Sequence, residues 1–173
     1  MMDEKARRRA PINRHHRAIP EEAMSVAKRT YDANVIWTGN KVQSVAIVKN
    51  HRIIIDEPIA LGGDDEGPNP VQLLLASVGG CINIMINMLA PRYQVELEEV
   101  ETYVEGDLDP DGYREKAPVR PGLLEIRFAV KVVSPSPQEQ VDALIAHAHR
   151  VCPVKDTLAG VPVVQMPWPE PSD

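Results

Sequence analysis

The sequence predicts an α+β fold, and three features of its hydrophobic patterning carry that prediction. First, residues 30–58 break into three short apolar runs, TYDANVIWTG, KVQSVAIVKN and HRIIIDEP, in the manner of a three-stranded meander. Second, one apolar stretch, VQLLLASVGGCINIMINMLA (Val71–Ala90), has the length of a helix rather than a strand. Third, two more β-like runs follow it before an amphipathic helix and a last short strand. The resulting order, βββ-α-ββ-α-β, joins strands through hairpins instead of βαβ units.

Each element has local support. Gly39-Asn40 and Asn50-His51 are turn signals between the meander strands. A Gly-rich loop, LGGDDEGPNP, ends in Asn69-Pro70; Asn caps helices well and Pro suits the first helical position, so the long helix starts there. Pro91 stops it. QVELEEVETYVEGDL and LLEIRFAVKVV then flank a polar loop, DPDGYREKAPVRPG. SPQE reads as a capping box with Ser136 as N-cap, Pro137 at the first position and Glu139 at the third. Behind it Val141, Leu144, Ile145, Ala148 and Cys152 share one helical face. Pro153 ends that helix or kinks it into a second turn, and GVPVVQM is the final strand.

The expected organisation is a basic N-terminal extension (residues 1–29) with at most a short helix over Glu21–Arg29, one domain (30–167) and a tail (168–173). A chain of 173 residues buries a core without disulfides or metals. Aromatics are only 4%, so that core is built of Val, Ile, Leu, Ala and Met. The net charge of −6 is uneven: residues 1–29 hold eight Lys/Arg against four Asp/Glu, and the rest eleven against twenty-one. An acidic body argues against a nucleic-acid partner. The extension is read as a solvated segment, or as an arm whose charge complements the acidic body of a partner subunit.

The first 29 residues contain no apolar run of the secretory kind, and Arg7-Arg8-Arg9 without one is no export signal, so a reducing cytoplasm is the expected compartment. Val71–Ala90 is long enough to cross a bilayer. Gln72, Asn83 and Asn87 would each need a partner in hydrocarbon, and Gly79-Gly80 interrupts the centre, so a buried helix and no membrane partner is the reading.

Two cysteines, 71 residues apart, stand out. That is too few for a disulfide scaffold, and each lies in a helical pattern rather than a loop, which points to thiol chemistry. Cys81 is either an inert core thiol or a nucleophile. Beside it Gly79-Gly80 costs about 1 kcal/mol per Gly against Ala, which implies close approach of a second helix or a ligand. Asn83 and Asn87 offer a helix–helix hydrogen-bonding seam or substrate contacts. Cys152 is either the last core position of its helix or the cap of a new turn, where thiolate is favoured. His147 and His149 lack metal-ligand spacing with Cys152 and read as exposed helical residues; His15-His16 is no better.

DEPIALGGDDEGPNPVQLLLASVGGC together with CPVKDTLAG resembles the OsmC/Ohr family of hydroperoxide-reducing thiol proteins and their relatives. The order of elements matches from Tyr31 to Met166. The resemblance implies an OsmC-like intertwined homodimer in which antiparallel sheets wrap around two long central helices, with sites at the subunit interface. It implies Cys81 as the peroxidatic and Cys152 as the resolving cysteine, with no cofactor or metal. The Cys81 thiolate would attack the O–O bond, an alcohol would leave, and Cys152 would condense with the sulfenic acid to a disulfide that an external small or protein-bound dithiol reduces. An apolar pocket would suit an organic hydroperoxide.

The sequence departs from the family pattern at Val71, where hydroperoxidases often carry Glu. Glu57 could supply the carboxylate if it faces the site. Arg52, ahead of Lys41, is the candidate to hold the thiolate, because its planar fork can bind thiolate and carboxylate together. With Cys81 far from any helix N-terminus in the sequence reading, its activation falls to such a cation. The function so read is a cytoplasmic, dimeric thiol peroxidase for organic hydroperoxides; the alternative is an OsmC-like small-molecule binding or redox-sensing protein without turnover.

Overall fold

A computed structural model describes residues 28–168; most of the expected Glu21–Arg29 helix and of the C-terminal tail lies outside them. The meander forms as expected: β1 (Asn34–Trp37), β2 (Ser44–Val48) and β3 (His51–Ile55) pair antiparallel in the order β1-β2-β3. Gly39 and Lys41 take positive φ in the first turn and Lys49 in the second. A 3₁₀ turn at Ile59–Leu61 leads into α1 (Pro70–Leu89).

The start of α1 is as read from the sequence. Asn69 Oδ1 accepts from Gln72 N, Gln72 Oε1 accepts from Asn69 N, both at 2.9 Å, and Pro70 occupies the first position. This reciprocal cap satisfies two of the helix's orphan donors. A 3₁₀ turn, Ala90–Tyr93, follows at Pro91.

The second sheet has the order β4-β5-β6, with β4 (Glu99–Asp107) antiparallel to β5 (Glu125–Val133). The polar loop between them contains a short helix, α2 (Pro110–Tyr113), which the sequence reading left as loop. The final strand, β6 (Val163–Gln165), pairs with β5 in parallel, so this sheet is mixed rather than wholly antiparallel. The cause is topological: α3 (Gln138–Arg150) and α4 (Pro153–Thr157) lie between β5 and β6, a crossover that returns the chain in the same direction.

The expected capping box on α3 does not form. Pro137 is the N-cap, and Ser136 Oγ instead accepts from Glu96 N at 2.9 Å. Satisfying a loop amide ahead of β4 takes the hydroxyl that the pattern assigned to the helix.

The core lies between α1, α3 and the inner face of the second sheet. Val78, Ile82 and Ile86 of α1, Phe128 of β5, and Val141, Leu144, Ala148 and Cys152 of the α3 face are buried together. Burying each large member stabilises the fold by about 1.5–3 kcal/mol. By contrast, among the described residues the β1–β3 sheet makes no extensive contact with the helices or the second sheet. Directly paired residues share a face, so Val35, Trp37, Ile53 and Ile55 lie on one side and Ile36, Val45, Ile47, Arg52 and Ile54 on the other. Both sides are apolar, and Trp37 is 64% exposed. The stripe of α1 opposite the core is likewise uncovered: Ser77, Gly80, Ile84 and Met88 are exposed, Ile84 by 60%.

Candidate functional site: a thiol pair at the start of α4

Folding closes the gap between the two cysteines. Cys152 is fully buried and is the N-cap of α4, its Sγ accepting from Lys155 N at 3.5 Å. Of the two sequence readings of Cys152, core residue and helix cap, the structure shows both at once. Cys81, partly buried on α1, lies beside the Cys152 thiol and faces the Val154 N–H, both of which bear on its ionisation. The first turn of α4 therefore presents one amide to each sulfur. This changes the sequence reading that Cys81 is remote from any helix N-terminus: it is remote along α1 and adjacent across space. The signal was present as Cys152-Pro153, a cap followed by a residue suited to the first helical position.

The electrostatics leave Cys81 protonated within one protomer. Burial, and then the hydrogen bond with Cys152, push the Cys81 thiol up to about 11, and the Val154 amide only partly opposes them. At neutral pH such a group is thiolate about once in 10⁴ molecules. What the protomer assembles is a pair of adjacent cysteines that can be joined by oxidation.

The other candidates are elsewhere in the protomer. Arg52 is exposed on β3 among apolar neighbours and makes no ion pair among the described residues. Lys41 is engaged by Asp64 and by the Gly63 carbonyl, so it is a strut of the 56–66 loop. Glu57 sits at the start of α1, its Oε2 accepting from Asn69 Nδ2 at 3.4 Å. About 16 Å of helix separates that end from Cys81 at 1.5 Å per residue. Val71 is partly buried in the first turn of α1. No group of three or more potential metal ligands occurs among the described residues.

Gly79 does mark a close approach, by a strand rather than a helix or ligand. A Cβ there would meet Val104 Cγ2 at 3.1 Å, whereas at Gly80 it would meet open space. Asn83 Oδ1 accepts from Thr102 Oγ1 at 2.6 Å, and Asn87 Nδ2 donates to the Asn83 carbonyl, so neither forms a helix–helix seam within the protomer. A groove of about 360 Å³ runs between α1 and β4, lined by Gln72, Gly79, Asn83, Thr102 and Val104 among others. It lies on the far side of α1 from Cys81, because positions two residues away point in nearly the opposite direction. The two histidines of α3 are not exposed as expected. His147 Nδ1 lies 2.8 Å from Tyr93 Oη, and the His149 ring leans on Phe128 at 4.7 Å between centroids.

With this geometry in hand, comparison with known proteins is decisive for the family. The sequence profile of the OsmC-like proteins matches residues 63–166, which spans the loop, α1, both thiols and β6.

The chain belongs to the OsmC-like protein family.

Solved structures share the OsmC-like fold. An OsmC-like protein from Mycoplasma pneumoniae superposes with a TM-score of 0.69 at 20% identity, covering 81% of this chain and 96% of its own. An organic hydroperoxide resistance protein OsmC from Legionella pneumophila gives 0.60 at 25% identity, covering 82% and 98%. The organic hydroperoxide resistance protein OhrB of Bacillus subtilis gives 0.55 at 21%, covering 81% and 98%. No curated protein matches the sequence. By length and composition α1 could cross a bilayer, but in this OsmC-like chain it is the core helix of a soluble fold.

Proposed function

We propose that this OsmC-like protein is a cytoplasmic thiol peroxidase that reduces organic hydroperoxides through Cys81 and Cys152. The observation that carries the reading is the meeting of the two thiols under the first turn of α4, with one backbone amide on each sulfur. Cys81 is the more accessible sulfur and takes the role of nucleophile; buried Cys152 takes that of resolving thiol. The Cys81 thiolate attacks the distal peroxide oxygen, the O–O bond breaks, and the alkoxide leaves as an alcohol. Cys152 then attacks the sulfenic sulfur, expelling water and forming the disulfide. A small or protein-bound dithiol returns both thiols. The hydroperoxide-resistance names of the Legionella and Bacillus proteins point the same way.

A second copy of the chain completes the site in this reading. Among the described residues Cys81 has no cation beside it, while Arg52 makes no ion pair and lies on an apolar sheet face that the helices and the second sheet do not cover. A homodimer buries that face and the exposed stripe of α1, and brings Arg52 of one copy to Cys81 of the other. Glu57 is the candidate to orient that guanidinium.

Treating the reduced protein with tert-butyl hydroperoxide should yield a Cys81–Cys152 disulfide, and Cys152→Ser should leave a trappable sulfenic acid on Cys81. Both thiols unmodified after many equivalents of peroxide would defeat the proposal. The raised thiol favours a second reading: small-molecule binding or redox sensing, in which Cys81 is modified without turning over.

A further inference from the structure

Tyr93 and His147 make a partly buried polar contact that the chemistry above does not use. Tyr93 ends the 3₁₀ turn that directly continues α1, the helix of Cys81. His147 lies in the last turn of α3, and its carbonyl accepts from Val151 N at 3.1 Å, the residue just before Cys152. The rings meet edge to face with centroids 5.7 Å apart, and Tyr93 Oη lies 2.8 Å from His147 Nδ1. With the ring neutral and its proton on Nε2, the phenol donates to the Nδ1 lone pair. One hydrogen bond thus ties the segment that carries Cys81 to the turn from which Cys152 departs.

We propose that Tyr93 and His147 are positioning residues for Cys152, holding the end of α3 against the end of α1 so that the two sulfurs stay within bonding reach. This rests on the reading that the cysteines form a disulfide. Disulfide geometry is narrow, with an S–S bond of about 2.05 Å and a preferred dihedral. A helix end free to shift by an ångström spends less time in that geometry, so the effective concentration of Cys152 at Cys81 falls.

The contact also works as a hydrogen bond rather than as packing alone. Burial, then Arg150 on the same helix and Arg92 beside Tyr93, hold His147 below its ordinary value of 6.5. Among the described residues, those two arginines and Tyr93 are the charged and titratable groups that bear on the ring. Protonation removes the Nδ1 lone pair, so the tie is intact above about pH 6.5 and weakens as pH falls through the depressed value.

The test is the thiol–disulfide equilibrium in glutathione buffers, which needs no peroxide. Protein dithiol and glutathione disulfide exchange to protein disulfide and two glutathiones: the electrons pass to glutathione and the protons follow them. Tyr93→Phe and His147→Gln should each lower the effective concentration about tenfold, equivalent to about 30 mV. The double variant should lose no more than either single one. The wild-type advantage over Tyr93→Phe should be full at pH 8 and shrink towards pH 5, a change that loss of packing alone does not produce. His147→Gln keeps the measurement available should Tyr93→Phe fold poorly. Variants equal to wild type, or an advantage constant from pH 8 to 5, overturn the positioning role while leaving the disulfide intact. A wild-type disulfide without peroxide turnover leaves the positioning role standing and removes the peroxidase. No wild-type disulfide in the most oxidising buffer overturns both.

Discussion

Replacing Arg52 by Met is the sharpest test of where the reactivity of Cys81 comes from. In a single protomer the thiol sits at about 11, four decades away from half-ionisation at neutral pH. A cation at hydrogen-bond distance contributes about 4 kcal/mol at an effective dielectric near 20, about three pKa units before screening. Cys81 is partly exposed, so about two to three units is the realistic gain. That raises the thiolate population about 10²- to 10³-fold. A less basic thiolate is also a weaker nucleophile, and with a Brønsted slope near 0.45 this takes back about a factor of ten. Arg52→Met should therefore slow reduction of tert-butyl hydroperoxide about 10- to 100-fold and move the alkylation profile of Cys81 up by about two to three pH units. Iodoacetamide labelling of Cys81, followed by peptide mass spectrometry between pH 5 and 9, reads this directly. An unchanged profile refutes the argument for Arg52 and turns attention to Lys41, or to a second copy's Arg29.

Three further outcomes follow from the same structure. Light scattering at low micromolar concentration should give a dimer mass, with a strongly apolar interface above about 2,000 Å² covering α1 and the β1–β3 sheet; a monomer would remove the interfacial site. Gly79→Val, whose Cβ must enter the 3.1 Å contact with Val104, should cost about 1–3 kcal/mol in urea unfolding, and Gly80→Ala should not. Asp56 is buried, yet its carboxylate accepts from the amides of Glu57, Asp64 and Glu66. Burial alone would raise its pKa, but these donors, with the Gln43 side chain, outweigh it and hold it below 3.8. Its contribution is present above about pH 4 and lost as pH falls through the depressed value. Asp56→Asn should lower the melting temperature at pH 7 and narrow the gap to wild type below pH 3; a constant gap would contradict this.

The sequence alone determined the elements whose cause is local. Asn69-Pro70 defined the start of α1, alternation and turn residues defined the meander, and the spacing of Val141, Leu144, Ala148 and Cys152 defined the buried face of α3. These depend on neighbours within a few residues, which the sequence displays. It also marked both cysteines and the DEP…CPVK pattern, and through them the family.

Tertiary structure decided whatever depends on residues far apart in the chain. Ser136 caps no helix because Glu96, 40 residues earlier, takes its hydroxyl. Gly79 accommodates Val104 of a strand, and the expected exposed His147 is held by Tyr93, 54 residues away. Most of all, the Cys81–Cys152 contact and the two α4 amides exist only because a crossover between β5 and β6 lays α4 across α1. Residue type and spacing along the chain encode which groups can react; only long-range packing encodes which of them meet, because a contact between distant segments leaves no periodic trace in either one.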